Sequence, residues 1–75
     1  MITQIVVPAA RVAVDQIVDN RNAVEPLVVT SVEAFGHFGE VTYHIAISRG
    51  DCVVYTVELK DGHSLTYTYE SEGTK

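Results

Sequence analysis

Residues 8–20 read Pro8-Ala9-Ala10-Arg11-Val12-Ala13-Val14-Asp15-Gln16-Ile17-Val18-Asp19-Asn20, and the fold class of the chain turns on them. Ala10, Ala13, Val14, Ile17 and Val18 fall at i, i+3, i+4, i+7 and i+8, the apolar stripe of an amphipathic helix. Pro8 suits a first helical turn, and Asn20 or Asn22 can supply a left-handed stop before Pro26. Val12 falls off the stripe, near Asp15 and Asp19, and a further pair of strands is the competing reading. The spacing predicts a helix over residues 8–20.

From Leu27 onward the apolar period changes to two. Val28, Thr30, Val32 and Ala34 alternate with Val29, Ser31 and Glu33. Val41, Tyr43, Ile45 and Ile47 alternate with Thr42, His44 and Ser48. Val53, Tyr55, Val57 and Leu59, then Leu65, Tyr67 and Tyr69, repeat the pattern. β-Branched and aromatic residues at period two, cut by glycine-containing breaks, predict strands over 27–35, 40–48, 52–59 and 63–70, joined as consecutive hairpins. Loop lengths decide which residues share a face. A four-residue loop over 36–39 sets Val32 opposite Tyr43 and Thr30 opposite Ile45. A three-residue loop over 49–51 sets Ile45 opposite Tyr55. One over 60–62, with Gly62 left-handed in a bulge, sets Val57 opposite Leu65 and Tyr55 opposite Tyr67. All four tyrosines then lie on the core face, while Ser31, Glu33, Thr42, His44, Thr56 and Glu58 lie on a polar one.

With residues 1–7 as a short first strand and 71–75 as a frayed tail, the expectation is one α+β domain over 1–75. A helix packs on a four- or five-stranded antiparallel sheet in the order β-α-β-β-β-β. That order resembles the cystatin-like architecture, a helix cradled by a sheet. The resemblance implies the fold alone, because protease-inhibiting cystatins carry a Gln-x-Val-x-Gly hairpin where this chain has Gly36-His37-Phe38-Gly39.

Composition narrows function mainly by exclusion. At 75 residues the chain has room for one core, burying about 60–65 % of the surface it exposes when unfolded. Ten acidic and five basic residues leave a net charge of −5, and Arg11, Arg21, Arg49, Lys60 and Lys75 are scattered. Direct nucleic-acid binding and attachment to anionic membrane both need clustered bases, so neither is expected. The single cysteine, Cys52, forms no internal disulfide, and Met1-Ile2-Thr3-Gln4 lacks the basic start of a signal peptide; a reducing, cytoplasmic setting is expected.

No chemical motif stands out. His37, His44 and His63 have no ligand spacing, although His37 and His63 fall at one end of the sheet near Glu40 and Asp61. Cys52 lies beside a turn, away from an activating histidine. The expectation is a non-enzymatic protein without metal or cofactor. The residues left for recognition are Glu33, Glu40, Glu58 and Glu70 on the polar face, with His37 and Phe38 in the glycine-flanked loop at its rim. They predict a protein-binding module that docks on a basic partner surface. Small phage-encoded inhibitors of host defence complexes, anti-CRISPR proteins among them, are similar in size and charge, and occupation of a basic nucleic-acid-binding groove is what that similarity implies. The second expectation is a homodimeric accessory domain, paired through its tyrosine-rich face or an open strand edge.

Overall fold

The computed structural model describes residues 1–71. Six strands run β1 (Ile2–Pro8), β2 (Ile17–Asp19), β3 (Leu27–His37), β4 (Glu40–Arg49), β5 (Cys52–Lys60) and β6 (Ser64–Glu70). They form one mixed sheet in the order β1-β6-β2-β3-β4-β5. Every pairing is antiparallel except β2 with β6, which meet in parallel at Asp19 and Thr68.

The helix expected over residues 8–20 is absent, so the α+β class and the cystatin-like architecture are both corrected to a six-stranded, all-β fold. Only Ala9–Arg11 is helical, as a single 3₁₀ turn, and Val12 is already extended. Asp15 sits at φ 78°, left-handed backbone that ends any helix there. Its N–H donates to the Val29 carbonyl at 2.8 Å, and the Val29 N–H donates back to the Gln16 carbonyl at 2.9 Å. The segment thus joins the ladder of β3. Val12, the residue off the helical stripe, is buried together with Val18, whereas Val14 and Ile17 on the stripe are exposed. Four β-branched residues within seven positions favour extended backbone, and their burial decided between the two periods.

Strands β3, β4 and β5 form the expected meander, each slightly longer than expected and shifted by two residues in register. The first turn holds two residues, Phe38 and Gly39, between the paired His37 and Glu40. Val32 therefore faces Ile45, and Ala34 faces Tyr43. Both turn residues have positive φ, 51° and 82°, as in a type I′ turn. Gly50 and Asp51 make the second turn, with Gly50 at φ 61°. Away from the bulges, a two-residue shift keeps side chains on their expected faces, which is why the alternation from Ser31 to Ala34 survives the wrong loop lengths. At the bulges the faces change: Val29, expected outward, is fully buried, and Val53, expected inward, pairs with Ser48 and is exposed. Thr30 bulges out of β3 and is exposed, and its hydroxyl meets that of buried Ser48 at 2.9 Å.

The expected hairpin of β5 and β6 does not form. Gly62 is left-handed (φ 94°) as anticipated, but β6 runs between β1 and β2, with Ile5 opposite Tyr67 and Val7 opposite Leu65. Only residues 61–63 join β5 to β6, so the sheet folds over on itself and β6 supplies the cover that a helix would have given. Val29, Ile45 and Ile47 are fully buried, and Val12, Val18, Leu27 and Tyr67 complete the core. Val32, Tyr43, Val57, Leu59, Leu65 and Tyr69 pack around it. Of the tail, Ser71 bonds to Met1, its N–H donating to the Met1 carbonyl at 2.8 Å; residues 72–75 lie outside the described residues. No helix among the described residues is long and apolar enough to cross a membrane.

Candidate functional site

The outer face of β3, β4 and β5 gathers most of the residues singled out for recognition. Because alternate residues of a strand share a face, Ser31, Glu33 and Phe35 project together from β3, with Thr42, His44 and Ala46 on β4 and Thr56, Glu58 and Lys60 on β5. The observed register aligns Glu33, His44 and Glu58 in one row across the three strands. His44 Nε2 lies 2.8 Å from Glu58 Oε2, and both side chains are at least half exposed. A shallow hollow runs over this row between Ser31, Ala46 and Thr56.

Aromatic rings continue the row toward the turn. Phe35 stands edge-on to the His44 ring, 4.9 Å between centroids, and leaves half its surface in solvent. At the tip, Phe38 is 93 % exposed and its ring lies 4.2 Å from that of His37. A bulky residue in left-handed backbone is strained, and type I′ turns take Asn, Asp or Gly there at lower cost. The hairpin therefore holds a solvent-facing phenylalanine at some expense of stability.

Five of the six expected recognition residues belong to this hairpin face and its tip: Glu33, His37, Phe38, Glu40 and Glu58. Glu70 does not. It ends β6 opposite Ile2, its N–H donates to Asn20 Oδ1 at 2.6 Å, and it borders a hollow with Ile17, Asn20 and Arg21. The strand that carries Glu70 folds over the core instead of extending the meander, which removes it from the face. Lys60 was missed as a positive neighbour of the acids; it sits one row from Glu58, beside Thr42. Phe35 was missed as well, although it follows the same alternation as Ser31 and Glu33.

Of the four tyrosines, the two on β6 are tied down. Tyr67 is 3 % exposed and donates its hydroxyl to Gln16 Oε1; Tyr69 is half-buried and donates to the Ile17 carbonyl at 2.6 Å. Burial and then the neighbouring Tyr69 raise the Tyr67 pKa above the ordinary phenol range. The fold-over of β6 thus buries Tyr67 and half-buries Tyr69, while Tyr55 on β5 stays exposed.

Two further clusters are structural in character. Arg21 clasps Asp19 through Nε, 3.0 and 3.1 Å from the two carboxylate oxygens, and through Nη2 at 2.5 Å, holding that carboxyl below its usual range. At the other end, Glu40, Lys60, Asp61 and His63 surround a small hollow. Among the described residues no three His, Cys, Asp or Glu side chains converge as metal ligands. Cys52 is exposed at the start of β5, opposite Arg49. No family model matches the chain, and neither does any curated protein or solved structure.

Proposed function

We propose that this chain is a non-enzymatic protein-binding module that docks the outer face of its β3–β5 meander on a basic surface of a partner protein. The observation that carries the reading is the hairpin face itself. Two exposed carboxylates, Glu33 and Glu58, stand in one row, and the same hairpin ends in a phenylalanine held in solvent by strained backbone. Carboxylates steer and orient the encounter through long-range attraction, while an exposed ring supplies short-range burial that slows dissociation. A net charge of −5 on so small a chain supports a groove that otherwise holds nucleic acid as the docking surface, in the manner of small phage anti-defence inhibitors. Cytoplasmic action belongs to the same proposal and is supported by the lone, exposed thiol of Cys52.

The test is affinity capture from a native lysate on immobilised protein, run in parallel with the Glu33→Lys/Glu58→Lys variant. Partners of this face are retained by the wild type at about 0.05 M salt, lost from the variant, and released as salt rises to about 0.5 M and the screening length falls from roughly 14 to 4 Å. Phe38→Ala should leave association rates nearly unchanged and speed dissociation. Capture that ignores both the charge reversals and salt removes the acidic face from consideration.

A further inference from the structure

The folded sheet is joined along one flank, where β2 pairs with β3, and ends along the other in two edges, β1 and β5, that are unpaired among the described residues. Burial follows that asymmetry. Among the described residues every buried side chain comes from β2, β3, β4, β6 or the Ala9–Val12 connection, and none from β1 or β5. Ile5 pairs with the buried Tyr67 and yet is 46 % exposed; Tyr55 pairs with the buried Ile47 and is 41 % exposed. The core thins toward solvent on this flank.

The two edges are protected very differently. Strand β5 carries Glu58 and Lys60, and its ladder to β4 is broken by a bulge at Val54, both devices that discourage a further strand from adding. Strand β1 has neither. Its seven residues pair with β6 in unbroken register, and residues 1–10 contain no charged side chain. Ile2, Ile5 and Val6 are exposed along it. Only Pro8, at its end, limits pairing.

We infer that β1 is a dimerisation strand, and that its occupant is the β1 strand of a second copy of this chain, added antiparallel across a two-fold axis. Charge argues for a second copy. Copies of an acidic chain repel one another over most of their surfaces, and residues 1–10 are the longest stretch in which no side chain contributes to that repulsion. The segment is also self-complementary. With the axis at Ile5, Ile5 faces its counterpart, Gln4 faces Val6 and Thr3 faces Val7, so no charged side chain meets another. The pairing hydrogen-bonds the free edge and covers Ile5, and it leaves the β3–β4 hairpin tip untouched.

Sedimentation equilibrium on the wild-type chain between about 1 and 500 µM tests the inference. The expected result is a mass that rises from 8.2 kDa to twice that value, with association that salt does not weaken because screening relieves the repulsion between acidic copies. Val6→Lys, an outward-facing change that removes no core residue, should weaken association at least about tenfold while far-UV circular dichroism stays native. Val54→Lys on the opposite edge should leave it unchanged. Should Val6→Lys fail to fold, hydrogen exchange of the wild type gives the answer: β1 amides become more protected as concentration rises, and β5 amides do not. A wild type that stays monomeric throughout the range overturns the inference. So does a dimer broken by Val54→Lys and indifferent to Val6→Lys, or protection that grows on β5 alone.

Discussion

The meander of β3, β4 and β5 and the layer of β1, β6 and β2 are made of similar residues and held together by different means. In the meander each strand pairs with its chain neighbour across a two-residue turn, and the ladders run for nearly the whole strand. In the other layer Ile5 finds Tyr67 across most of the chain, and the ladder between β2 and β6 consists of a single residue pair. Side chains fasten what the short ladder cannot: the Tyr67 hydroxyl on Gln16, the Tyr69 hydroxyl on the Ile17 carbonyl, and Asn20 on the Glu70 N–H. Local pairing closes small loops at little entropic cost, so turns and alternation suffice for it. The second layer closes a loop of more than fifty residues, and burial against a core that the meander has begun must offset that cost.

The largest effect that sharpens this contrast is expected from Ile47→Ala. Ile47 is fully buried where the two layers meet, and its truncation should cost about 2–5 kcal/mol in urea denaturation. Val57→Ala, at a half-buried position toward the open flank, should cost about 1 kcal/mol. Equal losses would break the distinction between joined and open flanks.

Tyr67→Phe probes the side-chain fastening. Loss of one partly buried hydrogen bond should cost about 1 kcal/mol and raise exchange at the Asp15 amide more than in the β4–β5 ladder. It also carries a pH signature. The Tyr67 pKa is raised in the folded state, so its contribution is complete below the ordinary phenol pKa and is lost as pH rises through the folded value. Part of the alkaline loss of stability should therefore disappear in Tyr67→Phe.

Asp19 gives the opposite sign at acid pH. Its pKa is lowered, chiefly by the Arg21 side-chain bonds, so its contribution is present above the ordinary carboxyl pKa and disappears as pH falls through the folded value. Melting temperatures followed below about pH 4 should fall less steeply for Asp19→Asn than for the wild type. An identical slope would remove the clasp as a fastening of β2.

The smallest expected change is a gain. Phe38→Asn relieves left-handed backbone at a turn position that Asn suits, and should stabilise the chain by about 0.5–1 kcal/mol while weakening partner capture. Stabilisation without loss of capture would take Phe38 out of the binding face.

Most of the candidate face is legible in the sequence, because alternation alone puts Glu33 and Glu58 on the same side as His44. The row that joins them is not, since it depends on turn lengths, and the sequence Gly36-His37-Phe38-Gly39 disguises a two-residue turn whose first position is a strained phenylalanine. Glu70 was misplaced because adjacency in the chain suggested a hairpin that the core did not need.

By itself the sequence determined the three meander strands, the parity of their side chains away from the two bulges and the acidic, single-cysteine composition, since a regular strand's two faces follow from local alternation whatever it pairs with. Only the tertiary structure decided what covers the core. Residues 8–20 satisfy a helical stripe and an extended pattern at once, and β6 has the same apolar face whether it extends the meander or folds over it. The choice lay with burial: folding β6 back buries Tyr67 over Ile45 and Ile47 and brings in Val12 and Val18, an arrangement in which the helix has no place left to pack.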